Sequence, residues 1–371
     1  MIFTESTPSR GLRRYRTAFT LFAAGGTACA GAFVSNAPAA FLIVPVLLLA
    51  WSEGVTRRIA VSVAAHAALW SPLPGMAVAY GVSPAEAWLG IPAVMAVQAV
   101  IVGLVPPAFG VALWALSPVG FGHPAFGVFS LMPFQVLGMM GGLVTTAAIL
   151  TGLAVRRTSC AALACLALLG MVNLVASDPP ATSALVPVST AFGERSVFPA
   201  DDWSEIAIRV EETEEPGPRL LPEATIGREA DRGYRLFRDL ARADGHDLFV
   251  GVSGDGAETI VRFSKDGLVD TVYRQVQGVP FINDGLAGPW RFVSPPAVIE
   301  GERVAFAICF EVFLPMTWAR ALMSRSGTVA VVSNDRWTSA SVKVAQAKLL
   351  SFPWPATIVA AANSPEEPRS D

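Results

Sequence analysis

Charged residues are scarce in this sequence. They make up 15% of the 371 residues, against about 25% in an average soluble protein. The net charge is −3 and lysine occurs only three times, so no basic tract offers a nucleic acid an electrostatic footprint. Cysteine and histidine are also rare and show no zinc spacing, and no Gly-rich phosphate loop occurs. The sequence therefore predicts no metal, no cofactor and no direct nucleic-acid binding.

The missing charge is concentrated in the first half of the chain. Residues 59–155 contain no Lys or Arg, and Glu86 is their single formal charge. After residue 178 the composition becomes that of a soluble domain. The sequence thus predicts a multi-pass α-helical membrane domain over residues 1–177, followed by a globular domain over residues 178–371.

Long apolar runs set the expected number of membrane crossings. A bilayer is spanned by about 20 apolar residues, and residues 59–155 are long enough for four crossings. Pro-rich breaks interrupt that stretch, and the one at 105–107 is either a loop or a kink within one helix. Seven crossings are expected, with five as the alternative; the other three candidates are 17–34, 37–51 and 159–176.

Arginines predict the orientation. They cluster at residues 10–16, 57–58 and 156–157, and basic residues stay on the cytoplasmic side of a membrane. An inner-membrane protein with a periplasmic globular domain is therefore expected. A cleaved signal peptide over 17–34 is an alternative to a first spanning helix. A transporter is disfavoured, because such proteins carry intramembrane charges.

The globular half alternates apolar strands with amphipathic helices. This order predicts an α/β layered domain with a largely buried sheet. Its clearest local signal is a hairpin around the turn at 264–267. The expected strands are 183–189, 219–226, 248–253, 304–311, 328–335 and 357–363, and the expected helices are 201–214, 228–242, 315–323 and 341–352.

The apolar run AFAICFEVFLP contains Cys309, which is the only cysteine of the predicted periplasmic half, and Glu311. An intradomain disulfide is therefore excluded. A buried, inert core cysteine is one interpretation. Glu311 weighs against it, since the two-residue period of a strand predicts both side chains on one face. A carboxylate there needs a polar site.

Several segments together resemble the carbon–nitrogen hydrolase (nitrilase) superfamily. They are AICFEVFLP, VVSNDRW at 331–337, LPEAT at 221–225, and the hairpin TIVRFSKDGLVDTVYRQ. Helices preceding such a domain resemble the apolipoprotein N-acyltransferase branch, and the short form is most similar to the conjugal transfer protein TraB family. The resemblance implies an α-β-β-α sandwich, here shortened at its C-terminal end.

The resemblance also implies roles for individual residues. Cys309 would be the nucleophile and Glu223 the general base, whereas the family's Lys position is occupied by Gln275. The supporting residues would be Glu311, Tyr273, Asn334 and Trp337. A membrane lipid would be the acyl donor, and a lipoprotein or the conjugation machinery the partner. Because Gln275 lacks the lysine's charge, a catalytically inactive component of conjugal transfer is the alternative to an acyltransferase or amide hydrolase.

Overall fold

The computed structural model describes most of both halves of the chain. The described residues are 38–116 except 72, 80 and 81, then 183–192, 198, 200–227, 230–254, 257–276, 296–313, 315–334 and 356–363, with scattered positions between 17 and 27 and between 145 and 168. The expected spans 17–34 and 159–176, the helix 341–352 and Trp337 fall wholly or largely outside them.

The described part of the first half is helical. Its helices are α1 (Pro38–Trp51), α2 (Val55–Trp70), α3 (Leu73–Ala79), α4 (Ile91–Leu104) and α5 (Pro107–Leu116), and a π-helical turn, Glu86–Gly90, precedes α4. The Pro-rich segment at 105–107 separates two helices, because Val105 is extended with ψ 160° and the prolines cannot donate backbone hydrogen bonds.

One helical stretch among the described residues is long and apolar enough to cross a membrane. It is Glu86–Leu104, with 19 residues and a mean hydropathy of 2.0. The expected number of seven crossings therefore stays a prediction.

The second half begins with a five-stranded sheet. Its strands, in spatial order, are β1 (Val186–Pro187), β2 (Arg219–Leu220), β3 (Leu248–Gly254), β4 (Ala257–Phe263) and β5 (Val269–Arg274). The first three strands run parallel, and β3, β4 and β5 pair antiparallel. The predicted hairpin is confirmed as β4 and β5. Two helices, α6 (Ala200–Glu211) and α7 (Ala230–Asp244), connect the parallel strands.

A second sheet has four described strands, which lie in chain order. They are β6 (Ala297–Ile299), β7 (Glu302–Ile308), β8 (Thr328–Asn334) and β9 (Thr357–Asn363). The last three strands are parallel, so their carboxyl ends meet at one edge. Helix α8 (Pro315–Met323) connects β7 to β8.

Two apolar layers hold the domain together. In one, Trp203 of α6 and Phe237 of α7 pack on Val250 and Val261 of the first sheet. In the other, Phe249 and Tyr273 of the first sheet face Phe306 and Val332 of the second. The second sheet is backed by α8, so the layers run helix, sheet, sheet, helix. This confirms the α-β-β-α sandwich that was predicted for this half.

Candidate active site

Cys309 lies in a tight turn at the carboxyl end of β7. The strand ends at Ile308, and Cys309–Phe313 form a 3₁₀ helix. Cys309 has φ 49°, a left-handed conformation that is uncommon for any residue other than glycine, Asn or Asp. Its side chain is buried among residues of both sheets. Strained backbone of this kind is enriched at functional sites.

The expectation that Cys309 and Glu311 share one face of a strand is wrong. The sequence predicted a strand over 304–311, but β7 stops at Ile308 and the two-residue period no longer applies. The reason is the Glu311 carboxylate, because Oε2 accepts a hydrogen bond from the backbone N–H of Ile308 over 3.1 Å. That bond folds the chain back on itself just after the strand.

Glu311 is fully buried and is satisfied by groups from three elements. In addition to Ile308, the Tyr273 hydroxyl of β5 donates to Oε2 at 2.9 Å and the Val276 N–H donates to Oε1 at 2.8 Å. The guanidinium of Arg320 on α8 lies 3.7 Å from Oε1. The carboxylate thus ties the Cys309 turn to the first sheet and to the helix that follows.

The protonation of this cluster follows from burial and charge. Burial raises the pKa of Glu311, whereas Arg320 and the donated hydrogen bonds oppose that rise. Burial and the neighbouring Glu311 carboxylate raise the pKa of Tyr273 well above its ordinary value. Tyr273 therefore stays neutral and serves as a hydrogen-bond donor.

Glu223 reaches the same end of the second sheet from the loop after β2. Its carboxylate accepts a hydrogen bond from the backbone N–H of Asn334 at 3.0 Å. Asn334 ends β8, and Ile308 of β7 pairs with Val332 of that strand. The neighbouring ends of β7 and β8 therefore carry Cys309 and hold Glu223, so the structure brings the predicted nucleophile and base to one edge.

Two features of the backbone bring the Glu223 loop to this position. Gly251 of β3 has no Cβ, and a Cβ there would lie 2.6 Å from the Cα of Glu223. The next residue in the loop, Ala224, has φ 57°. A close backbone approach and a left-handed turn thus aim the Glu223 side chain between the sheets.

Asn334, which the resemblance gave as a supporting residue, makes contacts through both its backbone and its side chain. Its backbone binds Glu223, and its side-chain oxygen accepts a hydrogen bond from Asn363 Nδ2 at 2.9 Å. Asn363 at the end of β9 also accepts from the Thr190 hydroxyl at 3.0 Å. This chain of amides holds the strand ends in register beside Glu223. Neither Thr190 nor Asn363 carries a local sequence signal that would predict this contact.

Gln275, which occupies the family's Lys position according to the resemblance, lies next to the Cys309 turn. Its side chain is 1% exposed, and Nε2 donates to the carbonyl oxygen of Ile308 at 3.3 Å. One of its amide hydrogens thus holds the carbonyl of the residue before Cys309. The preceding residue, Arg274, is exposed, as strand alternation requires.

A third carboxyl group, that of Glu258, was not predicted from the sequence. It lies on β4 opposite Ser253, whose hydroxyl donates to Oε1 at 2.6 Å. Burial raises the pKa of Glu258 to about 8, the Glu223 charge adds to that rise, and the Ser253 hydrogen bond opposes it. The one sequence signal for its position is strand alternation, which predicts that Glu258 lies on the same face of β4 as Ile260.

Chemically, the arrangement brings together the buried thiol of Cys309, the carboxyl groups of Glu223, Glu258 and Glu311, and the buried amide of Gln275. A carboxylate next to a thiol can take its proton, and the thiolate is the competent nucleophile. No group of three or more His, Cys, Asp or Glu side chains suited to a metal ion occurs among the described residues.

Comparisons with known proteins give similarity to solved structures only. No family model and no curated protein matches the chain. A Cys→Ser mutant of the Nesterenkonia AN1 amidase from the nitrilase superfamily is 19% identical, with a TM-score of 0.39 over 49% of this chain and 77% of that chain. A Glu→Gln mutant from Nesterenkonia sp. AN1, with acrylamide added at the active-site cysteine, has the same identity and TM-score and covers 49% and 79%. An amidase from Nesterenkonia sp. is 18% identical, with a TM-score of 0.38 over 49% and 76%.

Proposed function

We propose that the α/β half is a thiol-dependent carbon–nitrogen hydrolase or acyltransferase. One observation carries the proposal: Cys309 occupies a buried left-handed turn at the end of β7, while the neighbouring end of β8 holds the Glu223 carboxylate. A buried core cysteine needs neither the strained turn nor a carboxylate at the adjacent strand end.

The chemistry takes two half-reactions. Glu223 accepts the proton of the Cys309 thiol, and the sulfur forms a bond to the carbonyl carbon of an acyl donor. When the intermediate collapses, the bond to the leaving group breaks and the leaving group takes the proton from Glu223. Water or an amine then attacks the thioester and gives its proton to Glu223, and the Cys309 sulfur leaves and recovers that proton.

Gln275 supplies a neutral donor at most. One hydrogen of its amide nitrogen binds the Ile308 carbonyl, which leaves the other for a negatively charged oxygen. Removing an oxyanion donor costs about 10²–10³ in rate in other enzymes, so a neutral donor in place of a cation gives a slow enzyme.

The first half is proposed to anchor this enzyme in the inner membrane, with the α/β half in the periplasm. The apolar stretch Glu86–Leu104 supports the membrane location, because its large side chains are exposed: Leu89 is 72%, Val97 60% and Leu104 54% exposed. The proposal extends to a membrane lipid as acyl donor and to a lipoprotein, or the conjugation machinery, as partner, all of which rest on the family resemblance alone.

The test is an acyl-thioester trap on the full-length protein in detergent. Incubation with phospholipid, or with a small primary amide, followed by acid quenching and mass spectrometry should place the acyl group on Cys309. Cys309→Ala should abolish the adduct, and Glu223→Gln should slow its formation at least 100-fold. Failure to acylate Cys309 with either donor would contradict the proposal.

A non-catalytic role in conjugal transfer is a second candidate, and the bond between Gln275 and the Ile308 carbonyl favours it. In that case Gln275 only holds the turn in place. This candidate predicts that Glu223→Gln is silent in a mating assay, and a large loss of transfer in that variant would exclude it.

A further inference from the structure

Glu258 and Gln275 are direct neighbours across β4 and β5. The backbone N–H of Gln275 donates to the Glu258 carbonyl at 2.8 Å, which continues the register in which Ile260 pairs with Tyr273. Ile260 and Tyr273 both belong to the layer between the sheets, together with Cys309. Residues two apart in a strand share a face, so the Glu258 and Gln275 side chains point into that same layer.

Both side chains end in an acceptor that receives no hydrogen bond from the residues the structure describes. These atoms are Glu258 Oε2 and Gln275 Oε1, and both are buried. The Gln275 amide is oriented by the bond from Nε2 to Ile308, so its oxygen cannot be exchanged for its nitrogen. Unpaired acceptors in a buried layer are unfavourable, and one proton on Glu258 Oε2 would turn one of them into a donor.

The charges around Glu258 favour that proton. Glu223 is the charged group whose field acts on it, and the effect raises the pKa of Glu258 on top of burial. Ser253 from β3 contributes a neutral hydroxyl. Of the cations on the packed elements that the structure describes, Arg274 is exposed on the other face of β5, and Arg320 lies at Glu311.

We propose that the carboxyl pair Glu223 and Glu258 carries one proton in the working site, held on Glu258 Oε2 beside the Gln275 amide. Glu258 is then a positioning residue: in its neutral form it adds no charge to the Glu223 carboxylate or to the Glu311 carboxylate, which faces Arg320. This assignment rests on the proposed function and adds a detail to it. The proton on Glu258 removes a negative charge that a cationic side chain at position 275 would otherwise neutralise.

The consequence for the reaction concerns charge. With Glu258 neutral, the pair Glu223 and Glu258 contributes one negative charge before the reaction, and none once Glu223 holds the Cys309 proton and a negatively charged oxygen forms on the substrate. With Glu258 ionised, a second negative charge in the same buried layer opposes that oxygen. Activity should therefore fall as the pH rises through about 8, where Glu258 loses its proton.

Infrared difference spectroscopy of the full-length protein tests the proton directly and needs no substrate. At pH 7 the wild type should show the carbonyl stretch of a protonated carboxyl group, which disappears as the pH rises through about 8.

Glu258→Gln should lack this band. Glu223→Gln should retain it and titrate at a lower pH, since the neighbouring charge is gone. Gln275→Lys should lose it at pH 7, because a cation there stabilises the ionised form. The matched control is Glu205→Gln, which removes an exposed carboxylate on α6 and should leave the band unchanged.

A wild-type spectrum identical to that of Glu258→Gln at pH 7 would overturn the inference, and so would a band that survives in Gln275→Lys. Circular dichroism confirms that each variant is folded. The outcomes separate from those of the proposed function. If the protein shows the band but forms no thioester on Cys309, the shared proton is supported and the proposed enzymatic activity is contradicted. If it forms the thioester while Glu258 is ionised, the activity is supported and the shared proton is contradicted.

Discussion

The carboxylate of Glu311 accepts a hydrogen bond from the backbone N–H of Ile308 at 3.1 Å, and this bond closes the turn that displays Cys309. The same carboxylate receives the Tyr273 hydroxyl and faces the Arg320 guanidinium. Glu311 is therefore a structural residue, which determines the conformation of the turn that carries Cys309.

Removing the Glu311 charge should destabilise the domain strongly. Glu311→Gln leaves Arg320 buried at 8% exposure without its carboxylate, and breaking a buried pair costs about 3–5 kcal/mol. Urea unfolding of the full-length protein in detergent measures the loss. Glu311→Gln combined with Arg320→Met should cost less than the sum of the two single changes, because no unpaired charge remains. A loss of unfolding free energy in the double variant equal to the sum of the two single losses would show that the pair is not coupled.

Gly251→Ala should displace Glu223. The added Cβ would lie 2.6 Å from the Glu223 Cα, a contact that backbone cannot relieve without moving. We expect thioester formation on Cys309 to fall at least tenfold and the unfolding free energy to drop by about 1–3 kcal/mol. Gly254→Ala is the matched control on the same strand, since none of the described residues places an atom within 4 Å of a Cβ built there. Equal behaviour of the two variants would show that Glu223 is not held by this approach.

The unfolding free energy should fall as the pH rises, because Glu258 loses its proton. Its pKa is about 8 in the folded protein against an ordinary value of 4.5, so between these values the folded state binds a proton that the unfolded state lacks. Stability from this group is complete below pH 4.5 and is lost up to pH 8, at no more than about 1.4 kcal/mol per pH unit. Urea midpoints for the wild type and Glu258→Gln at several pH values measure it. Parallel curves for the two proteins would contradict the prediction.

Val97→Arg should impair membrane insertion. Val97 is near the middle of Glu86–Leu104 and is 60% exposed, where an arginine costs about 2.5–3.5 kcal/mol in insertion assays. Leu104→Arg at the end of the same stretch should cost much less, because an arginine there reaches the interface. Insertion of this segment within a host membrane protein, scored for each variant, gives the comparison. A similar effect at both positions would argue against a spanning helix.

Much of the architecture of the second half was predictable from local patterns. The strand Thr357–Asn363 and the helix Pro315–Met323 have the predicted limits, because apolar runs and a leading proline are local signals. The strand that was to include Glu311 was too long, since nothing local shows that this carboxylate bonds back to Ile308. The candidate pair Glu223 and Cys309 came from the family resemblance, and the structure brings both residues to the same edge.

The sequence by itself determined the division into an apolar half and an α/β half, since composition and hydrophobic periodicity are properties of short stretches of chain. Tertiary structure decided which polar side chains meet. The sequence separates Glu223, Glu258, Gln275 and Cys309 by up to 86 positions, and only strand register and the stacking of two sheets bring them into one layer. The protonation of Glu258 depends on that proximity and on burial, and neither is encoded in the residues next to it.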